Sequence, residues 1–231
     1  MWHSARRIRG PARYIERVEK QTKALAAGYA AAAAALVLFG GLGRDVLLDH
    51  TIRFDAIVRG DLHALASPRL TDFFWAISCL GSELVLVPLA AVVIWRHVAT
   101  GRKHAAWLFL VAVAGAELLD RILKLAFHRP RPEPFFGYPL PSSYSFPSGH
   151  SLVAACFYGV AAAMWTARME SRPKAAAIWA AAAALVLAIG LSRIYLGVHY
   201  PSDVAAGYAA AVIWVAAVRA GYRAWLRRRT A

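Results

Sequence analysis

The sequence has little cysteine and little negative charge. Its two cysteines, Cys79 and Cys156, form no CxxC pair, which argues against a disulfide framework or a cysteine zinc site. Both lie in apolar stretches, so we expect two buried thiols that act as apolar packing groups. Asp and Glu number 13 against 27 Lys and Arg, which gives a net charge of +14. The basic residues punctuate apolar segments and build no basic face, so nucleic acid is not an expected partner.

Long apolar runs, in contrast, are abundant. Of the 231 residues, 59% are hydrophobic, and the mean hydropathy is +0.46, above the level of an average soluble domain. Six runs are long enough, or nearly so, to cross a hydrocarbon core of about 30 Å as helices. We place them at 24–42, 73–95, 105–127, 151–167, 175–192 and 204–222. The sequence therefore predicts an all-α bundle of six transmembrane helices, with no internal repeat.

Basic residues are unevenly distributed between the connections of this bundle. Eighteen of the 27 Lys and Arg lie at the two ends of the chain and in the second and fourth connections. The positive-inside rule then places both termini, the segments 1–23 and 223–231, in the cytoplasm, flanking a membrane domain over 24–222. A cleaved signal peptide is the weaker alternative, because the first basic region is long and the first run is about a full span.

Residues 44–72 connect the first two runs on the opposite, outer side. Acidic, basic and apolar positions alternate there. This pattern indicates a short amphipathic helix on the outer membrane surface. A solvated loop with some helix explains the same pattern equally well.

Three polar clusters lie in the second half of the chain, and the third reads Ser192-Arg193, five residues, His199, three residues, Asp203. Pro201 favours the first position of a helix, so His199 lies just before that helix and one turn from Asp203. A carboxylate that accepts a hydrogen bond from one imidazole nitrogen leaves the other nitrogen as a directed nucleophile. A surface His–Asp pair at helical spacing is the ordinary alternative.

The second cluster is Pro147-Ser148-Gly149-His150, directly before an apolar run. Ser148 suits a helix N-cap, and Gly149 lets backbone N–H groups approach an anion at the helix N-terminus. His150 is then positioned to donate a proton to a leaving oxygen. A plain capped helix start explains Ser148 and Gly149 but explains His150 poorly.

The first cluster is Lys124, six residues, then Arg131-Pro132, in a loop stiffened by prolines. Arg suits bidentate contacts to phosphate, and Lys supplies a point charge. We interpret the neighbouring Arg129 as a cation that snorkels to the membrane boundary. The roles of Asp120 and Arg121, one turn before Lys124, stay open between support of the site and an interhelical ion pair.

These three clusters, in this order and with this spacing, resemble the signature of the type 2 phosphatidic acid phosphatase (PAP2) superfamily, and every signature position is filled. The resemblance spans residues 124–203. It implies a core like that of the PAP2 and haloperoxidase enzymes, with the active site at the extracytoplasmic face. The implied catalytic residues are the nucleophile His199, its orienting partner Asp203 and the general acid His150. The implied phosphate-binding residues are Lys124, Arg131, Ser148, Gly149 and Arg193.

The resemblance also implies a lipid phosphatase of the bacterial cytoplasmic (inner) membrane that needs no metal ion and no cofactor. Three fixed cations agree with this, because they neutralise a transferring phosphoryl group and repel a metal cation that His150, His199 and Asp203 could otherwise bind. An outward-facing site favours undecaprenyl diphosphate as substrate. Phosphatidylglycerol phosphate, phosphatidic acid and a lipid A phosphate are alternatives.

Two other functions compete with hydrolysis. A phosphohistidine that passes its phosphate to a second lipid makes a phosphotransferase, and no residue distinguishes this from a hydrolase. A transporter expects polar residues near the midplane of several spans, whereas the polar residues here gather at one face. A soluble haloperoxidase is excluded by the six apolar runs. The sequence does not determine the oligomeric state.

Overall fold

The computed structural model of the protein describes residues 11–230, and this range is helical, with no β-strand. The helices are α1 (Pro11–Leu47), α2 (Ile52–Ala64), α3 (Pro68–Cys79), α4 (Glu83–Ala99), α5 (Lys103–Phe127), α6 (Gly149–Thr166), α7 (Arg172–Tyr195) and α8 (Pro201–Thr230). The expected all-α class is confirmed. Residues 1–10 of the expected basic N-terminal segment, and Ala231 at the other end, lie outside the described residues.

The outer surface of the bundle is strongly apolar. Large side chains such as Val37, Leu84 and Trp107 are 77%, 84% and 64% exposed, respectively. Exposed apolar surface on this scale marks a protein that contacts lipid or a partner. This exposed apolar surface, on helices whose backbone groups form their hydrogen bonds internally, indicates a protein embedded in the lipid bilayer.

The run expected at 73–95 is not one straight helix. It is divided between α3 and α4, whose axes are bent by 42° at the break. Pro68 begins α3 after the Ser67 N-cap. At the break, the Ser82 hydroxyl donates to the Cys79 carbonyl at 2.6 Å and satisfies a group that the helix end leaves open. A polar turn therefore divides an apolar run that composition alone predicts to be one continuous helix.

Three helices of the described range are long and apolar enough to cross a membrane: Leu25–Leu47, Arg172–Tyr195 and Pro201–Arg229. The bent pair of α3 and α4 makes a fourth if it counts as one span. Helix α5 is not in this set, since its second half carries Glu117, Asp120, Arg121 and Lys124. The all-helical membrane character is thus clear, but these helices by themselves do not establish six spans.

Helix α6 lies at the centre of the bundle and packs against α5, α7 and α8. Leu152, Ala154 and Cys156 on this helix are fully buried. Cys156 is therefore a core packing group as expected, whereas Cys79 at the end of α3 is exposed, contrary to expectation. A loop joins the end of α5 to the start of α6, and a short turn joins α7 to α8. The C-termini of α5 and α7 and the N-termini of α6 and α8 therefore lie at the same end of the bundle.

Helix α2 closes this end of the bundle. It exposes Ile52, Phe54 and Ile57 but buries Asp55 completely, the arrangement expected of a helix with one apolar face turned to lipid. Of the two alternatives for residues 44–72, the structure therefore has a helix over Ile52–Ala64.

Candidate active site

The turn between α7 and α8 holds His199. Backbone N–H groups of Val198 and His199 donate to the Arg193 carbonyl at 3.1 and 3.2 Å. Gly197 has φ +78°, and a Cβ there would lie 2.6 Å from the Phe135 backbone nitrogen, so only glycine fits this tight turn. His199 is 2% exposed and is fixed by these contacts at the start of α8.

The two ring nitrogens of His199 face groups of opposite charge. Nε2 lies 3.0 Å from Arg131 Nη1, and Nδ1 lies 3.3 Å from Asp203 Oδ2. A guanidinium only donates, so Nε2 must accept, and the proton belongs on Nδ1 where the carboxylate accepts it. This tautomer leaves the lone pair of Nε2 directed away from Asp203, as a nucleophile requires.

The electrostatics of the turn keep His199 neutral. Burial, helped by the nearby positive charges of Arg131 and Arg193, lowers the pKa of His199 to about 3 against the opposing effect of Asp203. Burial, together with the charge of Arg193, also lowers the pKa of Arg131 to about 10, which still leaves the guanidinium charged at neutral pH. The free site therefore pairs an unprotonated imidazole with charged cations.

A cavity of about 560 Å³ opens in front of His199. Six of the eight residues that the sequence predicts for the site line it: Lys124, Arg131, Gly149, His150, Arg193 and His199. Asp203 is fully buried behind His199. Cations and both histidines thus converge on one volume, which is suited to an anion with several oxygens.

The cavity continues away from this polar end as an apolar groove. Side chains of α4 and α5, including Leu86, Ala90, Ile94, Leu110 and Val113, form its walls. A phosphorylated head and an apolar chain would therefore be accommodated side by side in one continuous space.

Arg131 and Arg193 are each held by further bonds. Arg131 donates to the Ser143 carbonyl at 2.7 Å and to the Val198 carbonyl at 3.0 Å. Arg193 donates to the Tyr138 hydroxyl at 3.0 Å and to Ser78 Oγ. Fixed guanidinium groups lose little freedom when a ligand binds, which favours a preorganised anion site.

Ser148 is positioned differently from its neighbours. It occupies the N-cap position of α6 but makes no side-chain capping bond. Its hydroxyl accepts from Ser151 Oγ at 3.1 Å, and its backbone N–H donates to the Asp203 carbonyl at 3.0 Å. Ser148 is not among the residues that line the cavity; its contacts join the N-termini of α6 and α8.

Asp120 belongs to the site, and Arg121 lies at its edge. Asp120 Oδ2 accepts from Lys124 at 2.6 Å, and both side chains are nearly buried. A Cβ on Gly149 would lie 2.8 Å from Asp120 Oδ2, so the close approach of α5 and α6 requires glycine there. Arg121 pairs instead with Glu117 at 3.1 Å, and its side chain is 67% exposed. The sequence left the roles of Asp120 and Arg121 open. Of these two, Asp120 orients Lys124, one of the predicted phosphate-binding residues.

The interpretation of Arg129 as a snorkelling cation is wrong. Its side chain is only 10% exposed, and it donates to Asp203 Oδ1 at 2.6 Å and to Asp55 Oδ2 at 2.8 Å. These carboxylates raise the pKa of Arg129 and outweigh the opposing effect of burial. Pro130 and Pro132, which directly follow Arg129 and Arg131, were the available signal that both guanidinium groups are held. Only tertiary contacts reveal the carboxylate partners.

Sequence analysis also missed Ser145 and Asp55. Ser145 is buried, and its hydroxyl donates to Asp203 Oδ2 and lies 3.4 Å from His199 Nδ1. Asp55 is buried behind Arg129. Neither lies in a recognisable motif, although an acid among the apolar residues of α2 is a weak indication of a buried partner.

Residues 11–230 contain no group of three or more His, Cys, Asp or Glu side chains arranged to hold a metal ion.

Comparisons with known proteins find relatives over the part of the chain that holds the site. A family model described as the PAP2 superfamily matches residues 105–227. Phosphatidylglycerophosphatase B of Bacillus subtilis (strain 168) is 35% identical over 146 residues, covering 62% of this chain and 71% of that protein. A lipid A 1-phosphatase of Rhizobium johnstonii is 36% identical over 113 residues, covering 45% of this chain and 42% of that protein.

A solved structure is similar over most of the chain. The crystal structure of a transmembrane PAP2-type phosphatidylglycerolphosphate phosphatase from Bacillus subtilis has a TM-score of 0.76 and 26% sequence identity, and the match covers 83% of this chain and 96% of that one. The chain belongs to the PAP2 superfamily, and its relatives are membrane lipid phosphatases.

Proposed function

We propose that the protein hydrolyses a lipid phosphate or diphosphate through a phosphohistidine at His199. One observation carries this proposal: three cations and a neutral, oriented histidine form one end of a cavity whose other end is an apolar groove. The polar end fits a phosphoryl group, and the groove fits the chain attached to it.

Binding would prepare the nucleophile. In the free site, Arg131 Nη1 donates to His199 Nε2 at 3.0 Å. Phosphoryl oxygens are stronger acceptors than imidazole, so they would take over this bond, together with bonds from Lys124 and Arg193. Nε2 would then be free to approach phosphorus. The predicted contact of Ser148 with phosphate stays a prediction, whereas the Gly149 backbone lies at the cavity wall.

Chemistry would then proceed in two displacements. His199 Nε2 forms a bond to phosphorus as the bond to the lipid oxygen breaks. His150 takes up a proton when the anionic phosphoryl group offsets the surrounding cations, and it donates this proton to the leaving lipid oxygen. Asp203 stabilises the ring as it becomes positively charged. His150 next removes a proton from water, which attacks phosphorus and breaks the N–P bond. Inorganic phosphate leaves, and both histidines return to their starting states.

Three basic side chains at the polar end of the cavity also support hydrolysis without a metal ion. Lys124, Arg131 and Arg193 together neutralise the charge that develops on the transferring group, the part that Mg²⁺ plays elsewhere. A phosphotransferase would use the same first step and replace water by a lipid acceptor, and the assay below distinguishes the two.

We place the protein in the bacterial cytoplasmic membrane, with six spans, both termini in the cytoplasm and the site facing outward. The distribution of basic residues supports this orientation, since the ends of the chain carry a large share of them. In this arrangement α5 and α6 complete the spans formed by the more apolar helices. The charged residues in the second half of α5 line the cavity, so they would not face lipid.

The leading substrate from the sequence is undecaprenyl diphosphate. The relative named phosphatidylglycerophosphatase B, at 35% identity, favours phosphatidylglycerol phosphate as the second candidate. Phosphatidic acid and a lipid A phosphate complete the set to be tested.

The test is phosphate release by the purified protein in detergent, measured on each of these lipids with and without EDTA. We expect release that resists EDTA and is lost in His199→Ala. His104→Ala is the matched control, since His104 is exposed at the start of α5, far along that helix from the site. Release that persists in His199→Ala would contradict the phosphohistidine mechanism. Phosphate found only on an added acceptor lipid would favour the phosphotransferase.

A further inference from the structure

A chain of buried charges extends behind Asp203 to helix α2. Arg129 Nη1 donates to Asp203 Oδ1 at 2.6 Å, and Nη2 of the same guanidinium donates to Asp55 Oδ2 at 2.8 Å. Both carboxylates are fully buried. The order from the cavity inward is therefore His199, Asp203, Arg129 and Asp55.

The guanidinium is fixed on every side. Its Nη1 also donates to Ser202 Oγ at 2.8 Å, and its Nη2 donates to Thr51 Oγ1 at 3.0 Å. Its plane lies over the Tyr200 ring, with Cζ 4.0 Å from the ring centroid. A fork held by four acceptors and one aromatic face has a single orientation.

That orientation decides which oxygen of Asp203 serves the histidine. Arg129 occupies Oδ1, so Oδ2 is left for His199 Nδ1 at 3.3 Å. Without Arg129, the carboxylate could rotate and offer either oxygen. Without Asp55, the full charge of Arg129 would fall on Asp203 and weaken its attraction for the proton on Nδ1.

We propose that Asp55 and Arg129 are positioning residues for the reaction, acting on His199 through Asp203. Helix α2 is then part of the active site, although it lies outside the three signature clusters. The inference rests on the proposed function, in which His199 is the nucleophile.

A second contact ties α2 to the same turn. Arg59 on α2 donates to the Gly197 carbonyl at 3.2 Å and to the Glu133 carbonyl at 2.8 Å. Gly197 precedes His199 by two residues, and Glu133 follows Arg131 by two. Helix α2 therefore holds both the loop of the nucleophile and the loop of a phosphate ligand.

A purely structural role is the alternative. Asp55 Oδ1 accepts from the Ser202 backbone N–H at 3.0 Å, at the N-terminus of α8, where a carboxylate is favoured by the helix dipole. If Asp55 acts only as an N-terminal cap of α8, its loss would lower the fraction of folded protein. It would not change the reaction rate of each folded site.

The experiment measures the chemical step per intact site. Asp55→Asn keeps the shape of the side chain and removes its charge, and Asp61→Asn is the matched control on the same helix, where Asp61 is exposed. A non-hydrolysable lipid phosphonate counts the intact sites, and single-turnover trapping gives the rate of phosphohistidine formation. We expect Asp55→Asn to bind the phosphonate within about twofold of wild type but to react about tenfold more slowly, the order that one charge-assisted hydrogen bond supplies. Asp61→Asn should match wild type in both.

The double variant separates positioning from structure. If Asp55 acts through Asp203, adding Asp55→Asn to Asp203→Asn should slow the reaction by less than about twofold further, because the partner it serves is already lost. A full additional tenfold loss would overturn the inference, as would an unchanged rate per site in Asp55→Asn. Should Asp55→Asn fail to fold, Arg129→Lys takes its place. Lys keeps the charge but cannot bridge both carboxylates, so a wild-type rate per site in that variant would also overturn the inference.

The wild-type and His199→Ala proteins run beside these variants. Inactive wild-type protein, or an active His199→Ala protein, would overturn the proposed function and this inference together. Wild-type activity that depends on His199 but is indifferent to Asp55 and Arg129 would overturn this inference alone.

Discussion

Replacing Asp203 by Asn is the sharpest perturbation of the proposed nucleophile. The amide has the shape of the carboxylate but no charge, and one of its two positions donates. In the native site, Asp203 accepts from Arg129 and Ser145 as well as from the Tyr200 backbone N–H at 2.9 Å, in addition to His199. An amide has one accepting oxygen, so either Arg129 at Oδ1 or the donors at Oδ2, His199 Nδ1 among them, must face an amide N–H.

The magnitude follows from the distance between the ring and the carboxylate. A unit charge 3.3 Å from Nδ1 stabilises the positive ring of the transition state by about 5 kcal/mol at an effective dielectric constant of about 20. Arg129 carries the same charge in both proteins, so it does not enter the difference between them. At about 1.4 kcal/mol per factor of ten, phosphohistidine formation should slow by roughly 10³-fold or more.

Single-turnover trapping of phosphohistidine on the best lipid substrate measures this rate directly. Substrate affinity should change little, because Asp203 lies behind the cavity wall and does not contact the substrate. Asp72→Asn, on the exposed side of α3, controls for loss of a carboxylate in general. A folded Asp203→Asn protein that keeps more than about a third of the wild-type rate would refute the reasoning. The charge of Asp203 would then lower the activation free energy by about 1 kcal/mol or less.

Three further outcomes are expected. Gly149→Ala should lower activity, because its Cβ would lie 2.8 Å from Asp120 Oδ2, whereas Gly159→Ala on the same helix meets nothing within 4 Å and should be neutral; equal activities would contradict this. His150→Gln should slow lipid hydrolysis about 10²-fold or more, but slow an aryl phosphate with an acidic leaving group much less, since that group needs no proton; equal losses on both would remove the general-acid role. Burial lowers the pKa of His199 from 6.5 to about 3. At pH values between these two pKa values, the unfolded chain therefore binds a proton at His199 that the folded chain does not bind. Stability should therefore fall as pH drops below about 6.5, and the thermal unfolding midpoint in detergent should fall less in His199→Gln; an identical pH dependence in both proteins would contradict this.

Hydropathy and spacing predicted much of the fold. The apolar runs became helices because a backbone without water must bond internally, and the runs starting at residues 105, 151, 175 and 204 correspond to α5, α6, α7 and α8. The run at 73–95 was wrong as a single helix, since hydropathy averages over the Ser82 turn that divides it. Cys79 was expected in the interior and is exposed, because composition does not tell which face of a helix turns outward.

The signature clusters predicted which residues would meet, because local spacing puts His199 and Asp203 one turn apart and helix ends draw the clusters to one face. Arg129 was misjudged for a related reason. A cation in a loop is most often solvated, and only a buried partner changes that expectation.

The sequence by itself determined the helical class and the family and predicted the signature residues of the site, because apolar runs and motif spacing are properties of the linear chain. Only the tertiary structure decided the tautomer of His199, the pairing of Asp120 with Lys124 and the relay from Asp203 through Arg129 to Asp55. These depend on contacts between residues up to 74 positions apart along the chain, as Arg129 is from both Asp55 and Asp203. The physical reason is that burial makes a charge costly unless it is paired, and which pair forms is settled when the helices pack.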